Sequence, residues 1–128
     1  MNQIHITACD NEMFLVASGT NSSAPICHIQ SVNGFTVMVT INIKKGSAYS
    51  PITEINGLTG PINKTIDFIV PEETVYITPM CLNWSGPYDF KVKINNKDYN
   101  KKGNSSIPLG LVLGDIVEDG GTGIEIKL

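Results

Sequence analysis

Two histidines, His5 and His28, and three cysteines, Cys9, Cys27 and Cys81, are the side chains here best suited to nucleophilic or metal chemistry. Their spacing argues against both. Cys27 and His28 are neighbours, and on a strand adjacent side chains point to opposite faces, so a thiolate–imidazolium pair would need His5 to arrive from another strand. No serine sits in a Gly-x-Ser-x-Gly turn. A blue-copper set of two His, a Cys and a Met can be drawn from His5, His28, Cys81 and Met80, but no histidine follows Cys81. Zinc spacings such as Cys-x-x-Cys are absent. The odd number of cysteines fits small buried residues on strands, or one pair and a free thiol, better than a disulfide framework.

Oxygen-rich segments offer more. Asp115, Glu118 and Asp119 precede Gly120-Gly121, and hard oxygen ligands on a Gly-rich loop suit calcium, although no EF-hand pattern surrounds them. Asp10-Asn11-Glu12 is a second, smaller set. The Gly-rich segment leads into a strand at Ile124, so it provides no helix N-terminus to cradle phosphate. Asn83-Trp84-Ser85-Gly86-Pro87-Tyr88 joins the only tryptophan to an amide, a hydroxyl and a phenol. Sugar recognition needs an aromatic face and fixed polar groups, so Asn83, Trp84, Ser85 and Tyr88 form the candidate ligand site. Tyr49 and Tyr99 join it if their loops gather at the same end. The competing role for Trp84 is a lid over the open end of the fold. From Asn83 to Ile94 the chain resembles soluble bacterial galactose-binding lectins at Asn83, Ser85, Gly86, Phe90, Val92 and Ile94. Those lectins are jelly rolls with a calcium loop, but the Tyr, Asp and paired Asn of that loop have no counterparts here, so no binding role carries over.

The 128 residues that must hold these side chains bound one domain, 1–128, able to bury about two-thirds of its unfolded surface. All nine basic residues are Lys, the net charge is −3, and the pI is near 5.2. Without an arginine fork or a basic excess, a nucleic-acid partner is not expected. No run approaches the 18 apolar residues of a membrane helix, and no secretory leader opens the chain, so residence in the cytoplasm, or release without a signal peptide, is expected. Sequons occur at Asn21, Asn63, Asn83 and Asn104, in keeping with an Asn-rich composition.

Period-2 alternation dominates the chain. From Phe35 to Ile43 every odd residue is large and apolar, with Met38 the one apolar residue among the even positions; Asn33-Gly34 before it predicts a type I′ hairpin with the strand over 26–32. Ile4, Ile6 and Ala8 alternate against His5, Thr7 and Cys9. Residues 13–17 are continuously apolar, as in a strand buried on both faces. Residues 49–55 read as an edge strand demoted by Pro51, and 74–82 as a strand that Pro79 pushes to an edge or a bulge. Tyr88, Phe90, Val92 and Ile94 alternate with Asp89, Lys91 and Lys93, and Asn95-Asn96-Lys97-Asp98 reads as a hairpin turn. Residues 99–106 read as a mobile polar loop, and alternation returns at 107–113 and 124–128. Lys91, Lys93, Pro51 and Pro79 are the expected guards of the sheet edges. Short strands at a spacing near ten residues, without helical periodicity, predict an all-β, single-domain antiparallel β-sandwich of jelly-roll type, with a closed β-barrel as the alternative.

The expected function is non-enzymatic and lectin-like: polar and aromatic loops at one end of the sandwich hold a carbohydrate, with self-association into a homo-oligomer raising affinity and calcium as an optional cofactor. The first alternative is a protein-interaction or structural component, such as a small toxin, immunity or particle subunit, using a sheet face marked by Met38 and Val112. The second is an enzyme or metal protein built on His5, Cys27 or the loop over 115–119.

Overall fold

The structure, a computed structural model, describes residues 2–32, 34–84, 86–105, 111–115 and 123–128. Among them the chain is all strand and turn, with no helix. The strands are β1 (Asn2–Cys9), β2 (Asn11–Ser18), β3 (Ser23–Ser31), β4 (Val37–Lys45), β5 (Thr53–Gly57), β6 (Ile62–Val70), β7 (Thr74–Asn83), β8 (Gly86–Ile94), β9 (Lys97–Ser105), β10 (Leu111–Asp115) and β11 (Ile124–Lys127). They form two packed sheets that do not close into a barrel. The first has the order β6-β4-β1-β8-β9, the second β10-β7-β2-β3-β5, with β11 beside β10 on the same side of β7. The sandwich is mixed and not purely antiparallel, because β4 pairs with β6 and β3 with β5 in parallel. Each parallel pair needs a crossover, and here the chain crosses to the other sheet between its members.

Alternation builds the core. Val37, Val39, Ile41 and Ile43 of β4, with Phe90, Val92 and Ile94 of β8, face Met13, Leu15 and Ala17 of β2 and Val75, Ile77 and Cys81 of β7 across the interior. Each such large side chain taken fully from water stabilises the fold by about 1.5–3 kcal/mol. In β1 the period breaks: Ile6 pairs with Val92 and Ala8 with Lys91, leaving Thr7 as the extra residue of a bulge. The phase therefore shifts, and Cys9 enters the core where plain alternation predicts Ala8.

Several expectations are corrected. Strands β3 and β4 lie in different sheets, so the segment carrying Gly34 (φ 99°) crosses between sheets instead of forming a hairpin. The two-residue positive-φ turn occurs at Asn95 (φ 46°) and Asn96 (φ 69°), joining β8 to β9. Residues 97–105 form the edge strand β9 and not a loop; cross-strand pairing with β8 overrides their polarity. Strand β2 is buried on one face only, its Phe14 and Val16 being half-buried on the other. Pro79 is buried in a strand paired on both sides. It is accommodated because β11 pairs with residues 74–77 and β10 with residues 80–83, so the missing N–H falls at the junction between them. Lys91 and Lys93 lie on β8, which has neighbours on both sides, so they guard no edge; β9 carries Lys97, Lys101 and Lys102 there instead.

Candidate ligand-binding groove

The aromatic residues expected to converge are spread over the molecule. Tyr49 packs on Phe68 and donates its hydroxyl proton towards Glu72, just before β7, while Trp84 follows β7. A ten-residue strand at 3.2–3.4 Å per residue, about 30 Å, thus separates them. Glu72 is the anchor at its end: Tyr49 and Ser22 hydroxyls and the Thr20 and Asn21 backbone N–H groups all donate to its carboxylate. Desolvation works against the carboxylate, but these four donors outweigh it and hold its pKa below the usual value. Tyr99, in β9, faces inward beside Val92, with the Lys97 ammonium 5.4 Å above its ring. Tyr88 also faces the core, tilted against Phe90 and lying over Gly103 opposite it. Asn83 is fully buried; its Nδ2 donates to the Gly86 carbonyl, and among the described residues its Oδ1 has no partner. Ser85 lies outside the described residues.

Trp84 belongs to a polar chain that sequence reasoning missed. Its indole N–H donates to Glu12 Oε1 at 2.8 Å, and Glu12 Oε2 lies 2.7 Å from His28 Nε2. The other ring nitrogen, Nδ1, lies 2.7 Å from Glu54 Oε2. Both nitrogens face carboxylates, so the arrangement is satisfied by the imidazolium, which donates twice. The ring also stacks on Phe14, centroids 4.1 Å apart and planes within 8°. Burial opposes the charge on His28, but the bonds and charges of Glu12 and Glu54 outweigh it and raise the pKa above 6.5. Burial likewise works against the Glu12 carboxylate, and the donors His28 and Trp84 outweigh it and lower that pKa below 4.5. This clamp ties β2, β3 and β5 to the β7–β8 corner. Its signal is register: Phe14 pairs with His28 and His28 with Glu54, which no spacing along the chain reveals.

A concavity lies elsewhere, on the outer face of the first sheet. A groove of about 530 Å³ is lined by His5 and Thr7 of β1, Met38 and Thr40 of β4, Lys91 and Lys93 of β8, and Asn96, Asp98 and Asn100 at β9. The Thr7 bulge bends β1 in the middle of it, and short Thr7 and Thr40 side chains leave a low floor between longer neighbours. Cross-strand pairing aligns Thr40, His5 and Lys93 in one row. His5 Nδ1 bonds Thr40 Oγ1 at 3.2 Å, which orients the ring. Met38, 51% exposed, supplies an apolar wall.

The cysteine and histidine candidates do not come together. His5 lies on the outer face of one sheet and Cys27 in the core, so no Cys–His pair forms. All three thiols are free and buried; desolvation pushes Cys27 and Cys81 up to about 12 and Cys9 well above 9.0. Among the described residues no group of three His, Cys, Asp or Glu could hold a metal ion. Asp115 ends β10 opposite Met80, while Glu118 and Asp119, the other two residues of the calcium expectation, lie outside the described residues. In the Asp10-Asn11-Glu12 set, Glu12 is engaged by His28 and Trp84, and Asn11 accepts from the Trp84 backbone N–H. Among the described residues no helix is long and apolar enough to cross a membrane.

Comparison with family models, curated proteins and solved structures finds no match.

Proposed function

We propose that this chain is a non-enzymatic binding module that holds a carbohydrate in the groove on the outer face of the first sheet. The observation that supports it is the groove itself, where hydroxyls (Thr7, Thr40), amides (Asn96, Asn100), a carboxylate (Asp98) and an oriented imidazole (His5) converge on one concavity beside an apolar wall. Such a set supplies donors and acceptors in both directions to a ring of hydroxyls. The reading keeps the ligand class expected from the sequence but moves it from the loops to a sheet face. A glycan array tests it: wild type and Trp84→Ala bind the same glycans, and Thr40→Trp, which fills the floor, loses them. Silence of the wild type across the array, or loss on Trp84→Ala with Thr40→Trp intact, refutes it.

A second reading has one observation in its favour. Met80, 45% exposed, pairs with half-buried Phe14 on the outer face of the second sheet, an apolar spot suited to a protein contact. Self-association through it would appear as a mass above that of the monomer in light scattering, reverting on Met80→Lys.

A further inference from the structure

We infer that the ligand of the groove is an acidic saccharide, its carboxylate or sulfate held between Lys91 and Lys93 while its hydroxyls meet Thr40, Asn100 and Asp98. This rests on the carbohydrate reading above and narrows it.

Two features of the lining carry the inference. First, among the described residues the lining holds no Phe, Tyr or Trp, and its one ring, the His5 imidazole, is small and polar. Neutral sugars are held largely by an aromatic face against the apolar side of the ring. Met38 is a narrow, flexible substitute, so a neutral sugar would lose its main source of affinity here. Second, the lining carries two ammonium groups, Lys91 and Lys93, and one carboxylate, Asp98, with the Asp89 carboxylate beside Lys91 just outside it. Lys91 and Lys93 project from the same face of β8, two residues and so about 7 Å apart at the backbone, a span that one carboxylate or sulfate bridges when the flexible stems lean inward. Their protein partners are loose: Lys91 Nζ is 3.9 Å from Asp89, and Lys93 Nζ is 3.8 Å from Asp98, both beyond hydrogen-bonding distance. The ammonium protons therefore remain available to an incoming anion. Directly opposite Lys93 stands His5; its Nδ1 is engaged by Thr40, and among the described residues nothing hydrogen-bonds its Nε2. With Asp89 and Asp98 balancing the two lysines at rest, an incoming anion gains its hold by taking over these loose contacts with the direct hydrogen bonds that neither carboxylate makes.

The test is an array carrying uronate, sialylated and sulfated glycans beside their neutral counterparts, followed by calorimetry on the best binder, its neutral counterpart and inorganic sulfate. The expected result is binding of acidic glycans at least tenfold tighter than their neutral counterparts, weakened between 50 and 500 mM salt, and about tenfold weaker in Lys91→Gln/Lys93→Gln, which keeps the wild-type melting temperature. Equal binding of neutral and acidic glycans overturns this inference and leaves the carbohydrate reading standing. Inorganic sulfate binding as tightly as the glycan overturns the saccharide part, and no glycan binding at all overturns both.

Discussion

His28 sits where charge and stability can be separated by a single substitution. His28→Phe keeps a ring on Phe14 and removes both N–H donors. With His28 and Glu12 side chains each 15% exposed, that link is a partly buried, charge-assisted hydrogen bond, for which about 1.5–3 kcal/mol is typical. Glu54 is 68% exposed, so solvent screening leaves its link below about 1 kcal/mol. The expected loss is about 2–3 kcal/mol near pH 5.5, or roughly 10 °C in melting temperature for a domain of this size. The pH dependence fixes the cause. The raised His28 pKa means its contribution is fully present below 6.5 and fades as pH rises through the folded-state value. The lowered Glu12 pKa means its contribution is present above 4.5 and fades as pH falls through its folded-state value. The clamp is thus strongest between those limits. Urea unfolding of both proteins at pH 5.5 and pH 9, followed by Trp84 fluorescence, should show the gap shrinking to about 1 kcal/mol at pH 9. An equal gap at both pH values refutes the imidazolium assignment.

Two further outcomes follow from the packing. A Cβ at Gly103 would lie 2.5 Å from the Tyr88 hydroxyl and 2.7 Å from its Cζ, so Gly103→Val should cost about 1–3 kcal/mol in a melt, and Tyr88→Ala in the same chain should relieve most of it. A melting temperature unchanged by Gly103→Val contradicts this cross-strand contact. Cys9, Cys27 and Cys81 should be inert to a thiol reagent at pH 8 in the native protein and all react in denaturant; fast reaction of any one in the native state contradicts its burial.

Strands were legible wherever one face is apolar and the other charged, as in β8, because burial forces that pattern on any half-exposed strand. Pairing was not. The parallel partners of β3 and β4 share no turn with them, so nothing local marks the pairs Cys27–Thr53 or Val37–Ile62. The Asn33-Gly34 signal describes what a backbone can do at Gly34, and tertiary packing used that freedom to change sheets, leaving the hairpin to Asn95-Asn96. Polar β9 hid because its strand character comes from the ladder with β8. The groove was illegible for the same reason: His5, Thr40 and Lys93 are far apart in sequence and meet only through register, and the Thr7 bulge that bends the floor breaks the very alternation used to find β1. Trp84 was visible as a lone indole, but its N–H partner Glu12 was hidden in what read as a turn.

The location of the ligand is settled most directly by following backbone amide shifts in a ¹⁵N-labelled sample titrated with the best acidic glycan from the array. Saturable shifts at His5, Thr7, Thr40, Lys93 and Asn100, with Tyr49 and Trp84 unmoved, are the predicted result. Shifts centred on Trp84 and Tyr88 with the groove silent would contradict it.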